Sequence, residues 1–221
     1  MEMLVAIIVG VTTGILSSLI AWWISYRLLA PKISFSAQLK KARTENTETG
    51  YYYQFKIGNQ KKYTSAIDIG LRVTLYLPEF PVAGVTNMYS IPTASTTIFE
   101  LSPKKVDSTG WNRRISLHIN DEGFVENFDK TYFSKDLKAL GASEMLTLED
   151  ILSIVPDAFI KIRASAANSY SGSRRLFRSK DYKLVDIVEG KYDRFSLDLV
   201  AYDKVGDSDK DYFRSNSDNN A

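Results

Sequence analysis

Ile67-Asp68-Ile69-Gly70-Leu71-Arg72-Val73-Thr74-Leu75-Tyr76-Leu77 puts an aliphatic side chain at every second position over eleven residues. Side chains of a strand alternate between its two faces, so this spacing predicts a half-buried strand. The same period runs through Ile33, Phe35, Ala37 and Leu39, and through Tyr51, Tyr53, Phe55 and Ile57. Further strands are expected at Thr97 to Leu101, Ile115 to Ile119, Ala158 to Ala166, Arg174 to Ser179, Leu184 to Val188 and Phe195 to Ala201. Some eight or nine short strands with polar connections, and no alternation with long helices, predict a mainly β domain over residues 31–202, built as a β-sandwich. Two short helices interrupt it. Ser134 is a cap for Lys135 to Leu140, and Thr147 with Asp150 resembles a capping box ahead of Leu148 to Val155, which Pro156 stops. Both are too short to form a layer and are expected to cover an edge or an open end of the sandwich.

Ahead of the strands the pattern is of another kind. Met3 to Ile24 carries no charge over 22 residues, roughly 33 Å of helix against a hydrocarbon core of about 30 Å. Trp22, Trp23 and Tyr26 close this run and Arg27 and Lys32 follow, the order of aromatic rings and cations expected where lipid headgroups begin. Residues 1–30 therefore read as one N-terminal transmembrane anchor. A cleaved signal would need a positive start, a shorter apolar stretch and a small-residue exit, and the chain has none of these; a buried core helix is the remaining alternative. Arg27, Lys32, Lys40, Lys41 and Arg43 all follow the span and no Lys or Arg precedes it. This asymmetry predicts a cytoplasmic domain and an N-terminus outside.

Within the span, Ala6, Gly10, Gly14 and Ser18 recur every fourth residue and line one helix face with small groups, a surface on which two helices can pack closely. The frequency of glycine in membrane helices offers a simpler reading of the same row. Neither this row nor Thr13, Ser17, Ala21 and Ser25 holds an ionisable group, which argues against an ion or proton relay.

The chain of 221 residues has no Cys and one His, so disulfide scaffolds, thiol proteases and zinc fingers are excluded, and no metal or cofactor is expected. The lone imidazole, His118, shares the polar parity of Ser116 and reads as an exposed side chain. No phosphate-binding loop, nucleophile elbow or metalloprotease helix occurs, and the carboxylates Asp68, Asp107, Asp121 and Glu122 are scattered. Residues 203–221 are rich in Asp, Ser and Asn and are expected to be disordered. Of 28 basic and 26 acidic residues that tail takes 3 and 5, and Glu2 precedes the span; the rest of the chain is left with a net +5. A charge of that size implies weak attraction to an anionic leaflet, and with no recognisable reading module no nucleic-acid partner is expected.

The densest cationic stretch is a hairpin. Lys161 and Arg163 share one face of a strand, Asn168 to Ser173 turns the chain, and Arg174, Arg175 and Arg178 return on the next strand. It reads either as a site for an anionic ligand or partner segment, or as an edge hairpin kept soluble by its charge.

The run Ile15 to Ile33, with Ser17-Ser18-Leu19-Ile20-Ala21-Trp22 followed by Pro31-Lys32-Ile33, resembles the start of uncharacterised bacterial proteins that carry one N-terminal membrane helix and a cytoplasmic β-rich domain. Phe55-Lys56-Ile57-Gly58-Asn59, Ala66-Ile67-Asp68-Ile69, and Ser171-Gly172 leading to Tyr182 and Asp186-Ile187-Val188-Glu189-Gly190 are similar to immunoglobulin-like sandwich modules. The resemblance implies a bacterial inner-membrane location. Together these readings lead to a non-enzymatic interaction or scaffold module that contacts membrane lipid and a protein partner or a second copy of itself. The alternative is a membrane effector, for defence or toxicity, whose β-domain senses an anionic ligand or a partner and whose clustered helices perturb the bilayer. An enzyme working through Asp, Glu, Lys or Tyr alone ranks third.

Overall fold

The computed structural model describes residues 2–43, 51–79, 83–105, 110–118 and 147–202. The expected helix Lys135 to Leu140, Asp107, Asp121, Glu122 and the tail from residue 203 lie outside them.

The N-terminal helix, α1, runs Glu2–Leu29. Its stretch Glu2–Arg27 is long and apolar enough to cross a membrane, and none of it is buried against the rest of the chain. That exposure removes the core-helix alternative, because a core helix would be covered by its own domain. The hydroxyls of Thr12 and Thr13 donate to carbonyls one turn back, as does Ser18 to Gly14 O at 2.8 Å. An apolar surrounding requires such internal pairing.

The helix passes through Pro31 into β1 (Ile33–Phe35), followed by β2 (Leu39–Arg43), β3 (Tyr51–Asn59), β4 (Ala66–Pro78), β5 (Thr86–Ile91), β6 (Thr97–Leu101) and β7 (Asn112–Leu117). Helix α2 (Leu148–Ile154), β8 (Phe159–Asn168), β9 (Arg174–Tyr182), a single 3-10 turn at Leu184–Asp186, β10 (Ile187–Tyr192) and β11 (Leu199–Ala201) complete the order. The strands form two sheets. In one, β3 pairs with β7 on one side and with β1 and β2 on the other, and β2 leads on to β10 and β11. In the second, β4 pairs with β5 and β6 on one side and with β8 on the other, and β9 pairs with β8. Among the described residues all pairs are antiparallel except β2 with β10.

One hydrophobic cluster joins the sheets. From the first come Ile33, Leu39, Tyr53, Phe55, Ile57, Ile115 and Leu117; from the second, Ile69, Leu71, Val73, Leu75 and Leu77 of β4 and Ile160 and Ile162 of β8. Helix α2 adds Leu148, Ile151 and Leu152, and its start is a true capping box. The Thr147 hydroxyl accepts from Asp150 N, and the Asp150 carboxylate accepts from Thr147 N. Glu149 then receives Lys41 at 2.7 Å and the Tyr53 hydroxyl, which fastens the helix over β2 and β3.

Several expected strands take different bounds. Ile33 to Leu39 is not one strand: Ser36 exchanges hydrogen bonds with Lys56 through its own N–H (2.9 Å) and its hydroxyl (3.1 Å), so the chain bulges there and Ala37 turns outward. The long alternation loses its first member too. Asp68 sits at φ 50° and the β4–β8 register shifts between Ile67 and Gly70, so Ala66 replaces Ile67 in the core. Leu184 to Val188 divides into the 3-10 turn and the start of β10, and only Leu199–Ala201 of Phe195 to Ala201 is a strand. The strand expected at Ile115 to Ile119 begins at Asn112 and ends at Leu117. Thr86–Ile91 was not foreseen because its alternate residues are exposed and half-buried and give no apolar period until Ile91.

Phe55 is fully buried at the middle of this layer. Phe55→Ala should lower unfolding stability by about 3–5 kcal/mol, through lost transfer energy and the cavity left behind. Thr147→Ala should lower it by about 1 kcal/mol. Denaturant titration of the detergent-solubilised chain measures both.

Candidate membrane-facing and anion-binding surfaces

The residues expected at the membrane interface meet in space. Trp22 and Tyr26 stack at 5.6 Å between centroids, the Arg27 guanidinium lies over Trp23 at 4.6 Å, and Lys32 is exposed. On the small-residue row, a Cβ built at Gly10 or Gly14 would meet nothing within 4 Å, so that face is bare in the single chain.

The end of the domain that receives the helix is basic. Gln60 N–H donates to Lys32 O at 2.7 Å, Lys61 Nζ reaches Arg27 O at 3.5 Å, and Lys104 N–H donates to Lys61 O at 2.6 Å. The β3–β4 and β8–β9 turns share this end through Ser169 N–H on Ser65 O. Lys62, Lys105, Tyr63 (85% exposed) and Tyr170 (76%) project from it. Amphipathic rings beside ammonium groups suit a headgroup layer.

The hairpin cations divide between two faces. Lys161 pairs with Asp181 at 2.8 Å, Arg174 pairs with Asp68, and Arg163 donates to the Tyr76 hydroxyl at 2.7 Å, all away from the core. Arg178 lies opposite Arg163, and Arg72 of β4 flanks Arg163 on its other side, so three guanidinium residues form a row across three strands. Arg175 has the other parity and lies over the Tyr26 ring at 4.9 Å, against the helix exit. Arg72 escaped the sequence reading because it stands about ninety residues from its neighbours in the row. His118 is exposed just beyond β7, its N–H on Pro92 O.

A second cationic group lies on the outer face of the first sheet. The alternation that buries Phe55 and Ile57 turns Lys56 and Gly58 to that face, and register places Arg114 opposite Lys56. Gly58 leaves room for Trp111, whose ring stands 2.6 Å from where a Cβ would be. Lys56 is 3% exposed, with its ammonium on Asp193 O and on Ser196 O at 2.9 Å, which holds the loop after β10 against the sheet. With Arg113, Lys191 and Arg194, these residues line a cleft of about 650 Å³. Lys40, also 3% exposed, lies over the Tyr52 ring at 5.7 Å beside this group.

Burial, with Arg114 and Lys191 nearby, pulls the Lys40 ammonium down to about 8. Burial and Arg114 bring Lys56 down to about 8 as well, against the opposing pull of Asp193 and Asp198. On the tyrosines burial acts the other way. It pushes Tyr192 up to about 12, and with the bond to Glu149 it pushes Tyr53 far above the usual phenol range.

No protein-family model and no curated protein matches this chain, so the site is read from its own chemistry.

Both lysines hold their proton less tightly in the folded chain than in the unfolded one, where the ordinary value is 10.5. Their unfavourable charge is therefore fully present below about pH 8 and is relieved as pH rises towards 10.5. The buried tyrosines contribute stability below pH 10 that is lost above it. The thermal midpoint should rise between about pH 7.5 and 9.5 and less steeply in Lys40→Met, as calorimetry across that range would record.

Proposed function

We propose that the chain is a single-pass inner-membrane protein of a bacterium whose cytoplasmic domain, an immunoglobulin-like sandwich, serves as a non-enzymatic interaction or scaffold module. The supporting observation is the junction: an apolar helix with no cover from its own domain runs directly into an end that carries Lys32, Lys61, Lys62, Lys104 and Lys105 with Tyr63 and Tyr170 exposed. This arrangement suits a domain held against anionic lipid. The bare Ala6, Gly10, Gly14 and Ser18 row favours a second copy of the helix as partner.

Because the chain has no Cys, a single introduced thiol reports on one position. Oxidation of Ala6→Cys in native membranes should yield a disulfide-linked dimer, and Ile8→Cys on the opposite face should yield little. Adding Gly10→Ile and Gly14→Ile to Ala6→Cys should abolish the dimer. A C-terminal alkaline phosphatase fusion should be inactive; an active one would put the domain outside the cytoplasm.

The same bare row, with the Arg72, Arg163 and Arg178 row on the domain, favours a second reading as a membrane effector that clusters on sensing an anion. An effector would depolarise the inner membrane on expression and lose that action in Gly10→Ile/Gly14→Ile. A scaffold would leave the potential unchanged in both forms.

A further inference from the structure

The cleft beside β7 is assembled from three parts of the chain. Lys56 on β3, Arg113 and Arg114 on β7, Lys191 on β10 and Arg194 on the following loop line it, and register places Arg114 on the same face as Lys56. No carboxylate lines it among the described residues. Asp193 and Asp198 lie close enough to favour the charged form of Lys56, but neither faces the opening. The Asp193 carboxylate instead accepts from Phe195 N–H at 2.8 Å and shapes the loop.

This concentration of like charge is costly to hold. Arg114 faces Lys56 directly across two paired strands, a placement that destabilises a sheet when both groups are cations. The Lys56 ammonium is buried on backbone carbonyls, and burial with Arg114 outweighs the favourable pull of Asp193 and Asp198, so its charge carries a desolvation penalty. The arrangement is nevertheless rigid: Lys56 ties down the loop that carries Arg194, the Asn112 amide donates to Arg194 O at 3.5 Å, and Gly190 brings β10 against β11 so closely that a Cβ there would stand 2.4 Å from Val200 O. A group of cations carried on a fixed backbone, with no carboxylate among the described lining residues, suits a multiply charged anion. Three guanidinium forks suit the paired oxygens of phosphate, and two ammonium groups act as point charges. The volume is that of a small-molecule pocket.

We propose that this cleft binds a small ligand bearing two or more phosphate groups, held by Lys56, Arg113, Arg114, Lys191 and Arg194. The site lies on the sheet opposite to the one that carries the hairpin cations and does not depend on how the helix sits in lipid. Free polyphosphate esters and phosphorylated lipid headgroups share the chemistry.

The test uses the full chain in an uncharged detergent, with pyrophosphate and a short-chain phosphatidylinositol bisphosphate as separate probes, by calorimetric titration. At least one should bind and raise the thermal midpoint beyond the effect of sodium chloride at equal ionic strength. Arg114→Gln/Lys191→Gln should weaken binding by about tenfold or more, whereas Arg174→Gln/Arg178→Gln should leave it unchanged. Because Arg114→Gln removes a like charge opposite Lys56, the cleft variant should unfold no earlier than the parent without ligand, which separates lost binding from lost folding. Affinity should also fall as pH rises above about 8, where Lys56 gives up its proton. Tighter binding of the lipid probe would identify a headgroup as the source, and equal or tighter binding of pyrophosphate a soluble ligand. Failure of both probes to exceed the salt effect, or unchanged binding in the folded cleft variant, would overturn the proposal.

Discussion

The alternation of β3 is the constraint from which the rest of the domain follows. Phe55 and Ile57 must enter the layer shared with Leu71, Val73 and Leu75 of β4, because that burial is the main favourable term the domain has. A strand cannot bury two alternate residues without presenting those between them on its other face. Lys56 and Gly58 are therefore turned outward at the centre of the first sheet. There the loop after β10 covers Lys56 and Trp111 covers Gly58. The cationic cleft is thus a consequence of the core: it includes the back of a strand whose front is fully buried at Phe55 and Ile57.

Two opposing electrostatic situations result. On the outer face of the second sheet Lys161 and Arg174 have carboxylate partners, Asp181 and Asp68, and remain partly in water, where such pairs contribute little. On the first sheet Lys40 and Lys56 are withdrawn from water, Lys56 opposite Arg114 and Lys40 near Arg114 and Lys191, so charge there is expensive. The hairpin, conspicuous in the sequence, has two of its five cations paired with carboxylates. The cleft had no sequence signature.

The parts of the fold legible in the sequence are those where periodicity and local chemistry agree over one continuous stretch. The apolar span was one such part, and so were the parity of Ile69 to Leu77, the Thr97 to Leu101 strand and the Thr147–Asp150 capping box. Each depends on residues within a few positions of one another. What escaped depended on distant partners: the bulge at Ser36 exists because Lys56 offers it a paired N–H and C=O, and Asp68 adopts a left-handed conformation where β4 changes register against β8. The edge strand Thr86–Ile91 gains its place from β4 and not from its own composition.

Residue order alone establishes an uncharged apolar stretch of spanning length with aromatic and cationic residues at its end, and a β-rich domain behind it. Hydrophobic length, period and the order of residues along one chain suffice for both. Which cations lie together depends on how the strands pair and the loops fold back. Lys56, Arg114 and Lys191 are separated by scores of residues and meet through strand register and a loop folded back over the sheet, while the adjacent Arg174 and Arg175 are sent to opposite faces. Charge interactions fall off with distance through space, and along a strand neighbours in sequence point apart.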